Sequence, residues 1–128
     1  MSVLIKAVNA NNLEMSLKNA GSIMVTSTLS IIGSAIENDR PFRVCGTISL
    51  HNLQSSDSIL IIEEIKDYEG TYREYARNTY SGIQTSPIVF FSPKICRGWR
   101  IKAQRTAGSD RLINYLFYRE AYILPEPM

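Results

Sequence analysis

Residues 42–51 read FRVCGTISLH, and their pattern decides the fold class. Phe42, Val44, Gly46, Ile48 and Leu50 alternate with Arg43, Cys45, Thr47, Ser49 and His51, the period of a strand with one face buried and the other in water. The same alternation returns at Trp99, Ile101 and Ala103 against Arg100, Lys102 and Gln104. Ile59–Ile62 and Ile88–Phe91 are unbroken apolar runs, which predicts central strands covered on both faces. Leu112 to Leu124 forms a last tyrosine-rich segment with no breaker before Pro125. Turn residues separate these runs: Asn38–Pro41, Asn52–Asp57, Glu69-Gly70, Ser81-Gly82, Ser86-Pro87, Ser92-Pro93 and Gly108–Asp110. Seven to eight strands at this spacing predict an all-β, antiparallel two-sheet sandwich. A jelly-roll-like arrangement fits better than an immunoglobulin one, because Trp99 follows Cys96 instead of lying between the two cysteines.

Working outward, the first third is harder to read. Residues 20–36, AGSIMVTSTLSIIGSAI, carry no charge. Their Ser, Thr and Gly content and their length fall short of the ~20 predominantly apolar residues of a spanning helix, and their β-branched residues favour strand. Only residues 9–20 have helical spacing, with Leu13 and Leu17 flanked by Ala10 and Ala20, and four asparagines weaken it. The expected organisation is an N-terminal arm or short helix over 1–20 and one β-sandwich domain over 21–128. The opening MSVLIKAVNANN lacks a basic run followed by an apolar core and a small-residue cleavage site, so a protein made inside a cell is expected.

Composition excludes several chemistries. With 45% hydrophobic residues the chain has material for a core, and 14 Lys+Arg against 12 Asp+Glu leave too small an excess for a purely electrostatic partner. Cys45 and Cys96 are too few for a disulfide scaffold and lack metal-site spacing. His51 is the single histidine, and no serine lies in a nucleophile elbow. Glu63 and Glu64 are adjacent, so on a strand they point to opposite faces and cannot form a carboxylate dyad. The seven glycines are scattered singly, with no phosphate loop. No catalytic residue, metal or cofactor is expected.

Two distributions point instead to surfaces. All seven tyrosines lie in the second half, and Tyr72, Tyr75 and Tyr80 are candidate contact residues, since tyrosine supplies rigid area with a polar tip. Residues 41–80 hold four bases against six acids, whereas 81–128 hold seven bases against three acids. Lys94, Arg97, Arg100, Lys102 and Arg105 are therefore candidates for an interface or polyanion contact. They are expected to meet the acidic 57–69 segment of a neighbouring copy or, as a second choice, nucleic acid phosphates.

The segments GTISLHNLQSSDSILIIEEIKDYEGTYREYARNTYSG, SPIVFFSPK and GWRIKAQRTAGSDRLINYLFYREAYIL give Phe42 to Leu124 a texture that resembles the small single-jelly-roll proteins of virus and phage particles. The resemblance covers about two thirds of the chain and carries no residue roles. It implies a non-enzymatic, self-assembling virion protein (capsid, decoration, cement or spike subunit), assembled in the host cytoplasm. Its partners would be copies of itself, as a trimer or higher oligomer, and other particle proteins, with no membrane. The rivals are a nucleic-acid-binding β module using 94–111 with Trp99, a glycan-binding sandwich that stacks sugars on Trp99 and tyrosines, and a filament or pilus subunit with a donated N-terminal strand.

Overall fold

The computed structural model describes residues 13–36, 42–91 and 97–122. Among these there are eight strands and no helix: β1 Leu13–Val25, β2 Ser30–Ile36, β3 Phe42–Ser49, β4 Ser58–Lys66, β5 Tyr72–Ser81, β6 Ile88–Phe91, β7 Gly98–Ala107 and β8 Arg111–Tyr122. They form two four-stranded sheets, sheet A in the order β1-β8-β3-β6 and sheet B in the order β2-β7-β4-β5. Every neighbouring pair is antiparallel. The pairs β4–β5, β3–β6, β2–β7 and β1–β8 nest like one long hairpin rolled over itself, the arrangement of a jelly roll.

The uncharged 20–36 segment is two strands joined by a short turn, and no described helix is long and apolar enough to cross a membrane. β1 begins at Leu13 and runs through residue 20, so residues 13–20 of the segment expected as arm or short helix are extended and paired with β8. Residues 1–12 lie outside the described residues, as do the expected turns at Asn38–Pro41 and Ser92-Pro93. The other expected turns fall between strands, except that Ser81 is the last residue of β5.

Alternation sends Phe42, Val44 and Ile48 of β3, Ile113 and Phe117 of β8, Ile59 and Ile61 of β4, and Trp99, Ile101 and Ala103 of β7 into the space between the sheets. Phe117 is the centre of this core. Its ring stacks on Tyr115 at 5.4 Å and meets Trp99 edge-on at 5.3 Å. Glycines on both sheets make room for it: a Cβ at Gly33 of β2 would stand 2.6 Å from the Phe117 ring, and one at Gly46 of β3 would strike the Leu116 carbonyl. Gly46 and Gly33 are therefore strand glycines kept for close approach.

One end of the sandwich is tied by a buried carboxylate. Asp57, 1% exposed, accepts hydrogen bonds from the Gln54 and Ser109 amides and from Arg111 Nε, joining the β3–β4 and β7–β8 turns. Gly108, at φ 80°, lies so close to Asp57 that a side chain there would collide with it. The Arg111 guanidinium and the two amides hold the Asp57 carboxyl at a pKa of about 2.

One strand departs from expectation. β4 is central, as its apolar run predicted, but β6 is an edge strand whose Phe90 is 80% exposed. An unbroken apolar run reports hydrophobicity and not cover. Pro87 and Pro93 on either side of the run are the marks of an edge, because proline cannot donate to a ladder.

Candidate functional site

The candidate surfaces are the outer faces of the two sheets, and strand register decides what each presents. On sheet B, β4 lies between β7 and β5, with Glu64 opposite Arg100 on one side and Glu74 on the other. Arg100 Nε and Lys102 Nζ both reach the Glu64 carboxylate, which is 13% exposed. Burial alone would push the Glu64 carboxyl up, but the hydrogen bonds from Arg100 and Lys102 outweigh it and leave it below its ordinary value. Arg100 also lies 4.1 Å from the centre of the Tyr72 ring, with Lys66 at 5.7 Å. Further out, Arg77 pairs with Glu74 and Arg73 with Asp67. Glu64 of the acidic segment thus meets Arg100 and Lys102 of the basic one within one sheet of one chain.

The eight residues singled out by sequence do not form one patch. Arg100, Lys102 and Tyr72 come together on the outer face of sheet B. Arg105 turns to Asp110 and the Gly108 carbonyl at the end of the sandwich. Tyr80 packs against the core, and burial with the nearby Glu63 raises its pKa. Tyr75 donates to Glu63 Oε1 at 2.8 Å, and burial nevertheless raises the pKa of the Glu63 carboxyl. Arg97 is exposed just ahead of β7, and Lys94 lies outside the described residues. Trp99, which both the nucleic-acid and the glycan readings needed as a stacking platform, is 1% exposed with its indole N–H unpaired. A ring enclosed between two sheets offers no face to a base or sugar.

Sheet A presents the opposite texture, and sequence reasoning missed it. The register places Ala20, Leu116, Thr47 and Phe90 in one row across its four strands, and Ser22, Asn114, Ser49 and Ile88 in the next. Met24 and Leu112 follow. Met24, Ile88, Phe90, Leu112 and Leu116 are all exposed apolar side chains. No charged residue stands in these rows, and the first ion pair, Arg43 with Glu120, lies two rows beyond Thr47. Two cues were available: the prolines flanking β6, and the alternation of Leu112, Asn114 and Leu116 with the buried Ile113 and Phe117.

Cys45 Sγ lies 3.2 Å from Glu120 Oε1, and burial together with that carboxylate raises the thiol pKa, so it stays protonated and donates to the oxygen. Cys96 lies outside the described residues. His51 Nδ1 is 2.8 Å from Ser49 Oγ at an exposed strand end, with no carboxylate bonded to its ring among the described residues. No group of three or more possible metal ligands occurs among the described residues.

No protein-family model and no curated protein matches the sequence. Among solved structures, a chain from Bacillus endospore appendages, described as disulfide-linked pili, aligns with TM-score 0.61 and 12% identity over 90% of this chain and 95% of its own. VP2 of infectious bursal disease virus, in its subviral particle, aligns with TM-score 0.48 and 11% identity. That alignment covers 87% of this chain but only 32% of VP2, so this chain spans about a third of that protein's length. At 12% identity the likeness to the endospore appendage chain is one of fold alone.

Proposed function

We propose that this chain is a non-enzymatic structural protein that assembles with copies of itself, as a capsid, decoration, cement or spike subunit of a virus or phage particle. The observation that carries the reading is the contrast of outer faces: one uncharged and studded with exposed apolar side chains, the other built of ion pairs. Exposed apolar side chains gathered on one uncharged face, with polar residues between them, are a common mark of a contact. In this reading the residues ahead of Leu13 reach a neighbouring subunit, assembly takes place in the host cytoplasm, and other particle proteins are further partners.

A filament subunit is the second reading, favoured by the shared fold with the endospore appendage chain over nearly all of that chain's length. Nucleic acid binding has less support, because Glu64 already holds Arg100 and Lys102. Electron microscopy of the purified full-length protein, with sedimentation across concentration, separates these readings. Closed shells or rings support the particle, filaments support the second reading, and monomers at every concentration refute both. Deleting residues 1–12, which leaves β1 intact, is expected to give a folded chain that assembles poorly.

A further inference from the structure

We infer that the uncharged outer face of sheet A, with Phe90 at its open edge, is the surface by which one copy of this chain packs against another. The inference rests on the assembly role proposed above and assigns it to one face. Three observations lead there.

The first is charge. A face without charge needs no partner of opposite sign and sets up no like-charge repulsion between identical copies, so a second copy meets its requirements as it stands. Sheet B's outer face offers a neighbour no unmatched charge at Glu64, Glu74 or Asp67, each already paired in its own chain. The contact first expected, basic strand against a neighbour's acidic segment, is made internally between β7 and β4.

The second is polar satisfaction. Ser22 Oγ donates to Asn114 Oδ1 at 2.7 Å across β1 and β8, and Ser49 Oγ is bonded to His51. Ser22 and Ser49 keep these partners when the face is covered, which lowers the desolvation cost that opposes burial of bare polar groups. The apolar side chains between them, Met24, Ile88, Phe90, Leu112 and Leu116, lose their exposure to water on contact.

The third is extent. Four strands about 4.8 Å apart and the seven residues from Leu112 to Tyr118 at about 3.4 Å each give a plan of at most roughly 19 by 24 Å, or about 450 Å², since β6 contributes only four residues. That is about half of the roughly 800 Å² that each partner contributes to a stable pair. Two copies meeting by this face alone associate weakly, and the contact takes effect as one of several in an assembly. Among the described residues β6 has only four, and Pro87 just ahead of it has no N–H to donate, so the side-chain face carries the contact.

The test compares wild type with Phe90→Lys and Met24→Lys, at opposite edges of the face, and with Arg77→Glu on sheet B, by sedimentation velocity over a wide concentration range. Both face variants replace exposed side chains, so unchanged melting curves establish that they fold. Wild type and Arg77→Glu are expected to associate alike. The two face variants should need at least about tenfold higher concentration for the same degree of association. If wild type associates and the face variants match it, another surface makes the contact: the inference is overturned and the assembly role stands. If wild type stays monomeric throughout, the assembly role falls and this inference with it.

Discussion

The packing of Phe117 between Gly33 and Gly46 makes a prediction whose sign depends on the background in which it is measured. In the wild-type chain, Gly33→Ala places a methyl group 2.6 Å from Phe117 Cε2 and 2.9 Å from Cδ2, well inside van der Waals contact. Overpacking of this kind costs about 1–3 kcal/mol. Phe117→Ala, at a fully buried site in contact with three other rings, costs about 3–5 kcal/mol through lost burial and the cavity left behind. With an unfolding entropy of about 2.1 cal/mol/K per residue, 128 residues give about 0.27 kcal/mol/K, or roughly 4 °C of melting temperature per kcal/mol. The single changes should lower Tm by about 4–11 °C and about 11–18 °C respectively.

In the Phe117→Ala background the obstruction is gone, and the next atom that a Gly33 methyl meets is Ile101 Cγ2 at an ordinary 3.5 Å. The methyl then fills part of a cavity and removes a strand glycine worth about 0.5–1 kcal/mol, so Gly33→Ala turns neutral or stabilising. The coupling between the two sites should reach about 2 kcal/mol. Gly46→Ala provides the contrast, since its methyl meets the Leu116 carbonyl and Phe117 Cα, which are backbone, and stays destabilising in both backgrounds. Urea unfolding of the six chains reads all of this. Equal costs for Gly33→Ala in the two backgrounds would refute the placement of Phe117 against β2.

Asp57 is held at about 2 against an ordinary 3.8, so its contribution to stability is complete above about pH 4 and is lost as pH falls toward 2. Urea midpoints of Asp57→Asn should lie below wild type at neutral pH and lack that acid slope, and a slope that persists would point to other carboxylates. Glu63 runs the other way: its raised value means that stability falls as pH climbs from 4.5 through the folded-state value. Glu63→Gln keeps an acceptor for the Tyr75 hydroxyl and removes a buried charge, so Tm should rise at pH 7 and converge on wild type below pH 4.5. Cys45 should alkylate slowly at neutral pH, and Glu120→Gln should speed it by leaving Arg43 as the nearby charge that favours the thiolate. Peptide-level mass spectrometry after iodoacetamide measures the rate, and no acceleration would mean that Glu120 does not set the thiol's state.

Much of the fold was legible because strands and turns are written in local chemistry. The alternation of residues 42–51 and 99–104 appears as β3 and β7 with the expected residues inside, and the turns at 52–57, 69–70 and 108–110 fall where their Asn, Gly and Asp stand. The site was less legible. Arg100 and Lys102 alternate with the buried Trp99, Ile101 and Ala103, yet their partner Glu64 is 36 residues from Arg100 and becomes a neighbour only when β4 pairs with β7. Phe90 was read as core because its apolar run looks the same whether one sheet face or two are covered.

By itself the sequence determined the class of structure, an all-β antiparallel two-sheet sandwich of seven to eight strands, since period-two patterning and turn residues act within a few positions of the chain. Tertiary structure alone decided which surfaces are charged. Strand order places Glu64 of β4 beside Arg100 and Lys102 of β7, bringing an acid and two bases together that lie 36 and 38 residues apart in sequence. It also leaves β6 at an edge, where Phe90 meets water. Pairing between strands far apart in sequence sets both outcomes, and such pairing depends on how all eight strands close around one core.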